Sequence, residues 1–317
     1  MPEGLYRFVM AMTWRQQVPL CLMTFVVFPL TLAPLELQRR IINDAIGGVN
    51  LDLLLWLGGL YLAAVLVQGV LKYLRNVYLE RVGQGIGRRL RRRIVDGEAF
   101  GAEMAEGTKQ SLIAAEAEAV GGFAAESLAF PLLQLGIILS IAGYMLIVDP
   151  LVAAVALAFF VPSIVLLVIL QPRLNRLTGH KTEAQRNLGE AVLKDDRGAE
   201  DGDAAGATKI DRLIDQMYAL KIKIALLKYG LKFANNLLGH LGPLSVLVVG
   251  GWMVIQGQTA LGTIVAFISG YDKMSAPARD LLDFYRRLSM MKVQYGMVRD
   301  AAGDSLDSTG SLDAKSP

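Results

Sequence analysis

The sequence predicts an all-α integral membrane protein with six transmembrane helices and two long helical hairpins on the cytoplasmic side. Three observations carry this. Of 317 residues, 53% are apolar and only 19% charged, against about 25% charged in an ordinary soluble domain. The uncharged stretches come in lengths that fit a bilayer. The basic residues gather on one side of those stretches.

The first uncharged run is 16–35, between Arg15 and Glu36, and the second is 53–71, between Asp52 and Lys72. The third, 127–148, and the fourth, 150–172, are parted by Asp149. A hydrocarbon layer of about 30 Å takes roughly 20 helical residues, so each run fits one crossing. The fifth, 233–271, has 39 residues, about 58 Å of helix and too long for one crossing. Its middle reads Gln256-Gly257-Gln258-Thr259-Ala260-Leu261-Gly262, a glycine-rich polar turn. It is therefore a hairpin whose second arm continues past Asp272. Pro19, Pro29 and Pro34 in the first run suit a membrane helix better than a soluble one, and its length argues against a cleaved signal peptide.

Orientation follows from Lys and Arg. The short turns after the first, third and fifth spans are expected to hold only Arg39 and Arg40. Lys72 to Lys109 holds nine basic residues and Arg173 to Lys232 twelve. The positive-inside rule puts both long connections and both termini in the cytoplasm. Residues 1–15 are then a cytoplasmic lead-in, 16–298 the six-span domain, and 299–317 a flexible polar tail. The cluster Arg88, Arg89, Arg91, Arg92, Arg93 reads as topological anchoring and a solvated helix face.

The two long connections read as helical. "YLERVGQGIGRRLRRRIVDGEAF" has no proline and continues the second span. Ile210, Leu213, Ile214, Met217 and Leu220 recur at helical spacing. Helices therefore run out past the bilayer and fold back, as a protein gripped by a soluble partner would require.

Other function classes find little support. One cysteine, Cys21, rules out an intrachain disulfide, and two histidines, His180 and His240, argue against a zinc enzyme. A net charge of +3 does not point to nucleic acid. No G-x-x-x-x-G-K-[ST] occurs, and "GQGIG" at 83–87 lacks the Lys-Ser/Thr of a phosphate loop. Its small residues suit close helix contact instead.

Several stretches together resemble the type 1 transmembrane domain of ABC exporters. "PLELQRRIINDAI" is similar to that family's Pro-rich stretch ending in a basic pair and Ile-x-Asp. "GRRLRRRIV" resembles its arginine-studded second helix. Gly250, Gly251, Gly257, Gly262, Ala266, Phe267 and Pro277 in "GGWMVIQGQTALGTIVAFISGYDKMSAPARDL" follow its late glycine and proline pattern. The resemblance covers about 15–298. It implies an exporter subunit working as a dimer, with itself or a paralogous subunit, in the inner (plasma) membrane. It also implies a nucleotide-binding subunit that holds ATP and Mg, since this chain offers no catalytic residue and no cofactor site of its own.

The same resemblance places ATPase coupling at Gly107, Thr108, Lys109 and Glu116, and again at Lys194, Asp195, Asp196, Arg197, Glu200, Asp201 and Asp203. The second segment departs from the family. Where apolar residues are usual it reads "KDDRGAEDGDAAG", and Glu190 to Asp203 has six acids and two bases, a net −4. The partner is then basic there, or coupling is weak or absent. An ATPase-lacking scaffold or degenerate transporter on the same fold is the alternative reading. An ion-driven carrier finds little support, because no inverted repeat is visible.

Asp272 falls ten residues past Gly262, about 15 Å into the layer. A charge facing lipid there costs several kcal/mol. Tyr271, Asp272, Lys273 and Arg279 are therefore expected to line the substrate pathway or its inner mouth, or else to pair across a dimer. Lys273 and Asp280, seven apart, share a helix face. Gln68, Gln134, Asn235, Asn236 and His240 read as interhelical hydrogen-bonding residues, and Glu190 as the partner of Arg186.

Overall fold

The structure, a computed structural model, describes residues 5–95, 117–197 and 204–302, and these are helical apart from short turns, with no strand. Helix α1 spans Leu5–Leu30 and α2 Leu32–Arg40, and a π-helical segment Ile41–Ile46 extends α2. Then come α3 Leu51–Val95, α4 Ala117–Val148, α5 Pro150–Arg197, α6 Ala204–Ile255 and α7 Leu261–Ala302. The α6–α7 turn falls on the polar glycine stretch, and Gly257 takes φ +71°, a conformation that favours a residue without Cβ.

Among the described residues, five helices are long and apolar enough to cross a membrane: Thr13–Ile46, Leu51–Arg89, Glu118–Val148, Pro150–Glu190 and Ile210–Ile255. Helix α7 is not among them, because its charges begin at Asp272 and recur at Lys273, Arg279, Asp280 and Asp283. Helices α3, α5 and α6 have 45, 48 and 52 residues. At 1.5 Å per residue each is at least about 67 Å long, over twice the hydrocarbon thickness.

One expectation needs correcting. Arg39 and Arg40 do not sit in the first short turn. The helix runs on through them, and the turn is Gly47–Asn50. Both arginines bond Glu36 instead: Arg39 with two contacts of 2.8 Å, Arg40 with one of 2.7 Å. Tyr144 donates its hydroxyl to the same carboxylate at 2.8 Å, which ties α2 to α4. The three short turns thus contain no Lys or Arg.

The described residues fall into two compact units, one drawn from Met1–Ala153 with Gly250–Pro317 and the other from Ala154–Val249. In the first, α1, α3, α4 and α7 pack around Leu20, Val82, Ile86, Phe123, Ala124, Ala125, Ala129 and Phe284. Small residues set how close α3 and α4 come. A Cβ on Gly121 would lie 2.7 Å from both Gly83 O and Gly87 N, so the "GQGIG" segment is a backbone contact. The second unit consists of the long arms 154–197 and 204–249. Along them Arg186 pairs with Glu190 at 3.2 Å, one turn apart. Many apolar side chains there are exposed, among them Val168, Ile169, Leu226, Tyr229 and Phe233.

Candidate functional site

A cavity of about 750 Å³ opens within the first unit. Helix α3 lines it with Gln68, Lys72, Arg75, Asn76, Leu79 and Glu80, a stripe at three- and four-residue spacing on one helix face. Helix α4 adds Glu126, Phe130, Leu133, Gln134, Ile137 and Ile141. Helix α7 adds Lys273, Ala276, Pro277 and Asp280, and Thr31 at the α1–α2 joint completes the wall.

Both signs of charge line this space. Lys72 acts electrostatically on Lys273, and neither has a carboxylate within ion-pair distance among the described residues. Glu80, Glu126 and Asp280 share the lining, together with the apolar Leu133, Ile137 and Ile141.

Arg75 is held where it can act on this space. Its residue is 4% exposed, and its guanidinium donates to Thr24 Oγ1 at 3.2 Å, to Ala129 O at 3.2 Å and to Asn76 Oδ1 at 3.1 Å. These acceptors lie on α1, α4 and α3, and all are neutral. The planar fork suits such a three-way junction as an ammonium would not. Gln17 plays a similar part nearer the base, donating to Ala124 O at 2.8 Å.

The acids are engaged. Arg287 bonds Glu126 at 2.7 Å and lies 5.1 Å from the Phe130 ring centroid. Phe284 stacks on Phe130 and Phe123, with centroids 5.6 and 5.7 Å apart. Gln134 donates to Asp280 Oδ2 at 2.8 Å, the interhelical hydrogen bond expected of it. A stacked aromatic floor and two cross-helix polar ties thus hold α4 against α7.

The residues singled out on the last helix separate. Lys273 lines the cavity. Tyr271 is 1% exposed in the core. Asp272 and Arg279 are exposed on the helix surface and are not among the lining residues. Successive residues of a helix turn by about 100°, so a cluster of three neighbours cannot all face one space. Lys72, Arg75, Glu80 and Glu126 were not singled out, because the two cations were counted with the cytoplasmic connection. The polar stripe Gln68, Lys72, Arg75, Asn76, Glu80 was the signal available. Of the coupling residues, Gly107, Thr108, Lys109, Glu116, Glu200, Asp201 and Asp203 lie outside the described residues. Lys194, Asp195, Asp196 and Arg197 form the last turn of α5.

An all-helical chain with five long apolar helices, three of them over twice the bilayer depth, is a multi-pass membrane protein. The sequence model of the ABC transporter transmembrane region matches residues 36–198, just over half of the chain, and the protein belongs to that family. The match runs from Glu36 to the end of α5 and includes Lys72, Arg75, Glu126 and Gln134; the late glycine pattern of α6 and α7 lies beyond it. No curated protein matches the chain.

Proposed function

We propose that this chain is the membrane subunit of an ATP-driven ABC-type exporter. The observation that carries the reading is the charged cavity at membrane depth among α3, α4 and α7. Cations and carboxylates inside a hydrocarbon layer are costly and mark a path for polar cargo. The length of α3, α5 and α6 supports it, since helices that outrun the bilayer give a soluble motor something to hold.

In this reading α7 is the sixth span, its charges tolerated because it borders the pathway. The termini and both long connections are cytoplasmic, in the inner (plasma) membrane; the absence of Lys and Arg from the three short turns supports this through the positive-inside rule. The exposed carboxylate of Asp272 supports pairing with a second transmembrane subunit, the same chain or a paralogue, because a lipid-facing charge there would cost several kcal/mol. Lys273 belongs to the pathway or its inner mouth, while Tyr271, buried in the core, and Arg279, off the cavity lining, do not line it. ATP and Mg are bound by separately encoded nucleotide-binding subunits that seat against Gly107–Glu116 and Lys194–Asp203. ATP drives transport only by binding the closed arrangement better than the open one.

The net −4 of Glu190–Asp203 favours a second reading, a membrane scaffold on the same fold without active coupling. Affinity purification from native membranes separates the two. Recovery of an ATP-hydrolysing partner, with hydrolysis altered by neutralising Asp195 and Asp196, supports transport. Recovery of the chain as an oligomer with no ATP-binding protein supports the scaffold.

A further inference from the structure

Lys72 and Lys273 present an unusual pair. They come from α3 and α7, line one cavity, and lie within electrostatic reach of each other. The charge acting on Lys72 is Arg75, again a cation. The three carboxylates that share the cavity have other partners: Glu80 accepts from Gln84, Glu126 pairs with Arg287, and Asp280 accepts from Gln134. Two ammonium groups that repel each other in a low-dielectric layer are costly until an anion lies between them.

The rest of the lining adds a second constraint. Phe130, Leu133, Ile137 and Ile141 of α4 wall the same cavity. A head group at the lysines would therefore have apolar side chains beside it for an attached chain.

We propose that Lys72 and Lys273 form the anion subsite of the pathway and that its occupant is an amphiphile with a phosphate or carboxylate head. Arg75, fixed by its three neutral acceptors, supplies a third positive field. This inference rests on the pathway reading for its meaning, yet it concerns binding alone and needs neither ATP nor a partner.

The full chain, purified in a non-ionic detergent, is incubated with equimolar dioleoyl phosphatidic acid and dioleoyl phosphatidylcholine, and bound lipid is counted by native mass spectrometry. Phosphatidic acid should be retained in preference. Lys72→Gln and Lys273→Gln should each weaken its retention by about tenfold, the worth of one charge-assisted contact. Lys72→Arg with Lys273→Arg should restore it, and Lys223→Gln, at an exposed lysine, should leave it unchanged. Equal retention of the two lipids by the wild-type chain, or undiminished retention by the double glutamine variant, overturns the proposal. Displacement of phosphatidic acid by millimolar inorganic phosphate would overturn its amphiphile half, because free phosphate would then suffice. Failure of ATPase coupling, tested separately, would leave the binding result standing.

Discussion

The backbone N–H of Gly262 donates to Asn43 Oδ1 at 2.7 Å, so the π-helical segment after α2 caps the first turn of α7. A helix start leaves several N–H groups without partners, and here one is satisfied by a side chain more than two hundred positions earlier. A Cβ on Gly262 would collide with the Arg39 carbonyl and with Asn43 itself. Asn43→Ala should cost about 1 kcal/mol, the usual worth of a capping side chain. Gly262→Val should cost more, because it pushes the two helices apart as well. Thermal unfolding of the detergent-solubilised chain checks both, and a larger loss for Asn43→Ala than for Gly262→Val would contradict the packing argument.

Two neighbouring glycines on α4 give a sharper comparison. A Cβ at Gly121 meets Gly83 and Gly87 backbone, whereas at Gly122 there is open space. Gly121→Leu should lower stability by at least the roughly 1–3 kcal/mol typical of overpacking. Gly122→Leu, one residue on, should be close to neutral. Melting temperatures of the two variants decide it, and equal losses would mean that α3 and α4 are not in contact there.

The spans were legible in sequence because a bilayer imposes one simple rule, a length of uncharged residues, and 53–71, 127–148 and 150–172 all fall inside single helices. The turn at Gln256–Ala260 was legible because glycine and polar residues break an apolar run. Phase was not. Nothing in a list of neighbours shows that Lys273 and Asp280 share the cavity while Asp272 and Arg279 point elsewhere, because that depends on how α7 is rotated against α3 and α4. Lys72 and Arg75 were hidden by their own charge, which a topology count assigns to the cytoplasm. Arg39 and Arg40 misled for a related reason: Glu36 lies three and four residues before them, so both bond back along the helix and the turn comes later.

Arg75 separates stability from function. Burying a charge against neutral acceptors is expensive, and apolar replacements of similar size at such sites are often neutral or stabilising. Its acceptor Ala129 O is a helix carbonyl, and Thr24 keeps its own bond to Leu20 O at 2.7 Å. Arg75→Met should therefore leave the melting temperature unchanged or raise it, while lowering the retention of phosphatidic acid. Arg75→Lys should keep the charge but lose the fork that reaches three helices, and so recover only part of the binding. A severe loss of folding in Arg75→Met would show that the arginine holds the helix junction together and would weaken its place in the pathway.

The tie between Gln134 and Asp280 tests whether α4 and α7 are joined by polar contacts or by the aromatic floor. Hydrogen bonds between membrane helices are worth about 0.6 kcal/mol on average and rarely exceed about 1.7. Stacked aromatics of the Phe130–Phe284 kind contribute about 0.5–1.5 kcal/mol beyond the area they bury. Truncating Phe284, 6% exposed, removes two ring contacts and leaves a void, for which core aromatics lose about 3–5 kcal/mol. Gln134→Ala should therefore shift the melting temperature far less than Phe284→Ala. The glutamine variant leaves the Asp280 carboxylate without that partner, only seven residues from Lys273, and so makes the cavity less hospitable to an anion. Its expected signature is a near-normal melt with reduced phosphatidic acid retention, and Gln134→Ala with Asp280→Asn should bring the retention back.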